Sequence, residues 1–196
     1  MPNKKNVKRV VAIGLLLLGL IMIVTVSQAD TKDVHCYAVL SPIESSTGFS
    51  KIMESGCFDS FPEAIEAATS GQVILPEDVD PATLTYSDLN PHLEFNQIVP
   101  NTTTVIGIDY KNSNFDGDSY TWTVTGVGCT DSLSYGIGQM PSGWDNSVSS
   151  ARSYANCNHY YHWENKYNKG AVLDCGTSCS SMGVMDNQTS SEQWHK

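Results

Sequence analysis

Two textures of hydrophobic and polar positions divide the chain after residue 30. Between Ser60 and Gly71, the apolar residues Phe61, Ala64, Ile65 and Ala68 recur at steps of three and four, which places them on one face of a helix. Ser60 and Glu63 have the spacing of a capping box, Pro62 suits a first helical turn, and Gly71 ends the pattern. Short apolar runs at 36–40 and 72–75 predict strands on either side. Pro76, Pro81 and Pro91 then punctuate an acidic, irregular stretch that reads as a linker or an extended wrap. From Thr103 the period changes. Threonines, aromatics and β-branched residues alternate with glycines, which predicts strands almost throughout, with only 149–155 suited to a helical turn. The expected organisation is a leader at 1–29, a small α+β segment with one helix and a linker at 30–100, and a mainly β domain at 101–196.

The leader is a separate signal. Lys4, Lys5, Lys8 and Arg9 precede a seventeen-residue uncharged run from Val10 to Val26, and Ser27-Gln28-Ala29 offers small residues at the positions of a signal-peptidase cut. Export follows, either free or, if the segment is retained, anchored in the membrane. Four of the eleven Lys and Arg lie in this leader and no acid precedes Asp30, so the remainder sets seven bases against 21 acids, a formal charge of −14. Such a surface repels nucleic acid and anionic lipid and suits cations or basic partners. All six cysteines, Cys36, Cys57, Cys129, Cys157, Cys175 and Cys179, follow the leader, and an even count in an exported chain predicts three disulfides. Fifteen pairings are possible. Only Cys36 with Cys57, which flank one local segment, stands out.

The β region repeats itself. Tyr110-Lys111-Asn112-Ser113-Asn114-Phe115-Asp116-Gly117 is followed by Met140 and then by Asp145-Asn146-Ser147-Val148-Ser149-Ser150; Trp163-Glu164-Asn165-Lys166-Tyr167-Asn168-Lys169-Gly170 is followed by Met182 and then by Asp186-Asn187-Gln188-Thr189-Ser190-Ser191. Each copy runs aromatic, polar turn, aromatic, glycine, then D-N-x-x-S-S, as an internal duplication would. The aromatic-to-glycine stretch predicts a folded hairpin whose glycine takes a backbone conformation closed to other residues. Two four-stranded units of this kind make a Greek-key sandwich.

These residues resemble the βγ-crystallin domains, and within them the microbial secreted type related to crystallin-fold metalloprotease inhibitors. The resemblance covers about residues 103–196 and rests on Tyr110, Phe115 and Gly117, the looser echo at Trp163, Tyr167 and Gly170, and the two D-N-x-x-S-S loops. It implies a βγ-crystallin-like sandwich of two Greek keys with two Ca²⁺ sites, each loop helping to build both. Asp145 and Asp186 would supply charge, Asn146 and Asn187 neutral oxygen, Ser149 and Ser190 hydroxyls, and Ser147 and Gln188 backbone carbonyls. The residue after each hairpin's first aromatic, Lys111 or Glu164, would add a carbonyl, and the positive charge of Lys111 predicts a weaker site there. An all-oxygen set is what a hard cation such as Ca²⁺ takes. The same six residues are also good turn chemistry without any metal. The implied roles are a calcium-binding module, inhibition of an extracellular protease, or attachment to a cell-envelope component.

Other patterns carry less. Residues 112–117 begin like an EF-hand loop, but Thr123 stands where its bidentate Glu belongs. His159 and His162 form H-x-x-H, yet strand positions three apart face opposite ways, so these two and His35, His92 and His195 read as surface or partly packed. No serine sits in a G-x-S-x-G elbow, and a binding protein is expected rather than an enzyme. Trp122, Trp144, Trp163 and Trp194 read as packing residues. Asn101-Thr102-Thr103 and Asn187-Gln188-Thr189 fit the glycosylation acceptor pattern.

Overall fold

A computed structural model describes residues 32–91 and 102–196. The leader, His92 and Asn101 lie outside the described residues. No helix among those described is long and apolar enough to cross a membrane.

The mainly β architecture predicted from residue 103 onward is present as two sheets. The first Greek-key unit contributes β3 (Thr103–Asn112), β4 (Asp116–Thr125), β5 (Tyr135–Ile137) and β6 (Ser150–Ser153); the second contributes β7 (His159–Asn165), β8 (Lys169–Asp174), β9 (Ser178–Cys179) and β10 (Ser191–His195). In each unit the third strand crosses over. β5 joins β10, β7 and β8 in one sheet, while β9 joins β6, β3 and β4 in the other. The exchange commits each unit's hydrogen bonds to the other, so neither sheet is complete without both. Where 149–155 was expected to turn helically, Ser150–Ser153 is instead extended, because β3 and β9 take up its backbone groups on both edges.

The larger sheet continues beyond the repeat. β1 (His35–Leu40) pairs parallel with β4, and β2 (Ile52–Phe58) pairs antiparallel with β1, giving the order β2-β1-β4-β3-β6-β9. Cys36 and Cys57 face one another across β1 and β2 and are bonded, as expected; Cys129–Cys157 and Cys175–Cys179 complete the three bridges.

The helix α1 (Phe61–Ala68) forms where its periodicity placed it, with Ser60 Oγ accepting from Glu63 N–H and with Phe61, Ala64, Ile65 and Ala68 buried. It packs on β1, β2 and β4. Each of its larger apolar side chains contributes about 1.5–3 kcal/mol by leaving water. The predicted strand at 72–75 is absent. Thr69 Oγ1 accepts from Val73 N–H at 3.1 Å and satisfies it locally, and Pro76 has no N–H with which to extend a ladder. The proline-rich stretch is a wrap containing a 3-10 turn, Pro81–Thr83, and a one-turn helix, α2 (Tyr86–Leu89). It ends on Asn90, whose buried amide donates to Val105 O (3.1 Å) and accepts from Val105 N–H (2.8 Å), where β3 bulges. The side chain serves Val105 on the edge of β3 that β6, paired only from Gly107 onward, does not reach.

Facing strands of the two sheets meet through aromatics. Trp194 of β10 stacks on Tyr160 of β7 with centroids 4.7 Å apart and lies 5.5 Å from Trp122 of β4. Gly107 on β3 makes room for this layer: a Cβ there would sit 2.5 Å from Trp194 Nε1. Trp122, Trp144 and Trp194 are buried as packing residues, and Trp163 is half-buried.

Candidate metal centre

The two D-N-x-x-S-S loops, 41 positions apart in sequence, meet in space and hold one another reciprocally. Asn146 N–H donates to Thr189 O and Asn187 N–H to Val148 O, both at 2.9 Å. Ser149 Oγ donates to Asn187 Oδ1 (3.5 Å) and Ser190 Oγ to Asn146 Oδ1 (3.3 Å). Met182 N–H donates to Ser149 O and Met140 N–H to Ser190 O, so the methionine shared by the two copies performs the same task in each. Both asparagines have positive φ, 60° and 55°, a conformation that asparagine tolerates better than most residues.

Each loop is also anchored to its own hairpin. Ser149 N–H donates to Tyr110 O and Ser190 N–H to Trp163 O. The last serine of each signature, buried completely, bridges two backbone groups. Ser150 Oγ donates to Asn112 O (2.6 Å) and accepts from Phe115 N–H (2.9 Å); Ser191 Oγ donates to Asn165 O (2.7 Å) and accepts from Asn168 N–H (3.0 Å). These bonds correct the alignment of the copies. Phe115 corresponds to Asn168, whereas Tyr167 corresponds to Asn114 and packs, exposed, against Phe49. Gly117 and Gly170 have φ of 76° and 80°, as the folded hairpins require. Residues 112–117 are the turn of the β3–β4 hairpin, and Thr123 is a buried strand residue, so no EF-hand exists there.

The ten residues singled out from the sequence therefore cluster around the clasp. Ser149 and Ser190 are buried, Asp145, Ser147, Lys111 and Glu164 are half-buried, and Asn146, Asp186, Asn187 and Gln188 are exposed. The donors are carboxylate, amide, hydroxyl and carbonyl oxygens, which fit a hard cation. Asp145 Oδ1 is buried and accepts no hydrogen bond, an oxygen left open to a cation. Its other oxygen lies 4.0 Å from Lys166 Nζ. Lys111 Nζ is drawn away to Asp118 Oδ2 at 2.8 Å, with its charge compensated there, and lies 5.1 Å from the Trp144 ring centroid. Glu164 Oε2 accepts from Ala171 N–H at 3.1 Å.

A second cluster escaped the sequence reading. His162, assigned to the surface or a partly packed position, is fully buried, because its inward strand position faces Asp109 of β3 and Glu192 of β10. The alternation does separate it from His159, which is exposed and paired with Asp174 at 2.7 Å. Trp122 Nε1–H donates to Asp109 Oδ2 (2.7 Å), and the Tyr160 hydroxyl lies 2.7 Å from Asp109 Oδ1 and 3.0 Å from Glu192 Oε2. Burial pushes the Glu192 carboxyl up to about 8 and lowers the His162 imidazole to about 4. Burial, reinforced by the charge of Glu192, holds Asp109 well above the usual carboxylate range. With residues 109, 162 and 192 so far apart, no local spacing signals the group; only inward parity on three separate strands does.

No protein-family model and no curated protein matches this sequence. Solved structures similar to part of it include the following three. A crystal structure of a βγ-crystallin from an archaeon is 20% identical over 46% of this chain and 96% of its own, with a TM-score of 0.35. The crystal structure of the N-terminal domain of protein S is 14% identical over 45% of this chain and 93% of its own, with a TM-score of 0.34. A structure described under the evolution of the eye lens βγ-crystallin domain fold is 21% identical over 45% of this chain and 82% of its own, with a TM-score of 0.33. None of the three is described as a protease inhibitor. These three solved structures, to which this chain is similar over somewhat less than half its length, are βγ-crystallin domains.

Proposed function

We propose that the chain is an exported calcium-binding module without chemistry of its own, in which two Ca²⁺ ions at the paired loops stiffen the joint between the two Greek-key units. The observation that carries this reading is the reciprocal clasp of the two D-N-x-x-S-S loops, in one of which Asp145 Oδ1 is buried and accepts no hydrogen bond. Asp145 and Asp186 would supply the charge, Asn146, Asn187, Ser149 and Ser190 side-chain oxygens, and Ser147, Gln188, Lys111 and Glu164 carbonyls. With so few carboxylates per ion, affinity falls at the extracellular end of the calcium range, about 10⁻⁵ to 10⁻³ M. The three disulfides fit an oxidising environment.

An ion that binds only the folded state stabilises it by mass action, by about 2.7 kcal/mol per site at a hundredfold excess over Kd. That corresponds to a rise in Tm of about 5–10 °C for a domain of this size. The test is calorimetric titration of calcium into the oxidised, chelator-stripped protein, beside Asp145→Ala with Asp186→Ala. Two ions bound by the parent and much weaker binding by the double variant support the reading. No uptake at millimolar calcium reduces the loops to turn chemistry, and inhibition of an extracellular protease becomes the function to test.

A further inference from the structure

We propose that Asp109, His162 and Glu192 form a second, interior metal site, specific for a divalent transition metal of the zinc type, that ties the two sheets together. One ligand atom from each of the three lies within 4.8 Å of the others, and all three side chains are completely buried. Asp109 comes from the six-stranded sheet, and His162 and Glu192 come from adjacent strands of the four-stranded one.

Hydrogen bonding leaves this group incomplete. Neither ring nitrogen of His162 makes a hydrogen bond, nor does Glu192 Oε1, although His162 Nδ1 and Glu192 Oε1 are 3.1 Å apart. A buried polar atom without a partner costs about 1–3 kcal/mol, so three in one place call for something to satisfy them. A cation bound by Nδ1 and Oε1 satisfies two of them, since one ion takes a single nitrogen of a given imidazole and leaves the other protonated. Four ligands around zinc at ~2.0–2.1 Å stand roughly 3.3 Å from one another, so the spacing of Nδ1 and Oε1 already suits two of them. The rest of the set, within 4.8 Å, needs a contraction of up to about 1.5 Å.

Charge and the surrounding groups favour the same occupant. Two carboxylates and a neutral imidazole cancel a charge of +2, whereas any uncompensated charge in a dry interior is strongly disfavoured. A nitrogen ligand and few donors suit zinc; calcium takes six to eight oxygens. Trp122 Nε1–H orients the Asp109 carboxylate, and the Tyr160 hydroxyl bridges Asp109 and Glu192. Because the site lies between the sheets, the metal enters as they close.

The full chain, unfolded in denaturant and chelator with its disulfides intact, is refolded with Zn²⁺, Co²⁺ or Ca²⁺ and freed of excess metal. His159 and His195 face one another across β7 and β10 and could hold zinc adventitiously, so His159→Gln with His195→Gln is the background throughout. About one Zn²⁺ per chain should remain, and it should also remain when Asp145→Ala and Asp186→Ala remove the loop charges. The Co²⁺ form should show visible d–d bands and a hyperfine-shifted imidazole N–H resonance, and His162→Gln should lose the metal. Less than about 0.1 Zn²⁺ per chain overturns the proposal and leaves a buried network of protonated carboxyls. So does a full equivalent retained by His162→Gln, or, where that variant does not fold, a Co²⁺ form without an imidazole signature.

Discussion

Removing the last hydroxyl of each loop signature separates anchoring from ligation. In Ser150→Ala the carbonyl of Asn112 and the N–H of Phe115 both lose their partner, and the bond at Phe115 is buried. In Ser191→Ala the corresponding bonds at Asn165 and Asn168 are only partly buried, so water replaces them more readily. A buried group left unpaired costs about 1–3 kcal/mol, which gives roughly 2–4 kcal/mol for Ser150→Ala and about 1–2 for Ser191→Ala. Equilibrium urea unfolding of the oxidised protein in chelator measures both. With a slope near 1–3 kcal/mol per M, the larger loss moves the midpoint by about 1–2 M. Ser147→Ala, which removes one 3.4 Å bond at a half-buried position, is the control and should change stability by less than about 0.5 kcal/mol. The reasoning fails if Ser150→Ala costs no more than the control, or if Ser191→Ala is the more damaging of the pair.

Three further outcomes follow from particular contacts. Gly107→Ala drives a methyl group into Trp194, between whose neighbours no free space remains, and should lose about 1–3 kcal/mol, lowering Tm by roughly 3–10 °C in calorimetry; an unchanged Tm contradicts the packing described. Lys166→Gln removes the ammonium 4.0 Å from Asp145 and should tighten calcium binding by up to about fivefold at low salt, with the gain vanishing in concentrated salt. His35 lies against Phe61 and Ser119, and burial lowers its pKa despite the carboxylates of Asp33 and Asp118. The unfolded chain therefore binds a proton there more readily than the folded one, and stability should fall as pH drops through about 6.5. His35→Gln should flatten that slope between pH 7 and 5 in urea titrations, and an identical slope would remove His35 as its source.

Local rules, where they had no competitor, were read correctly. The helix at Phe61–Ala68 follows from its cap, its proline and its apolar spacing; the positive φ of Gly117 and Gly170 follows from the hairpin pattern; and the pairing of Cys36 with Cys57 follows from proximity in sequence. The doubled loop was legible because duplication leaves the same residues in the same order. Reading failed where a distant partner decides. Residues 72–75 have strand composition but no ladder to join, Ser150–Ser153 has turn composition but two strands waiting for it, and Tyr167 stands one position away from the role of Phe115.

Composition and period alone determined that this chain is mainly β, duplicated, acidic after residue 29 and tied by disulfides. Only the tertiary structure decided that the third strand of each unit crosses to the opposite sheet, that the loops clasp each other, and that Asp109, His162 and Glu192 meet in the interior. The physical reason lies in range. Caps, turns and alternation act over two to four residues and are written in the local sequence, whereas the closeness of residues 109, 162 and 192 depends on which strands pair and which faces turn inward, a choice settled by burial across the whole sandwich.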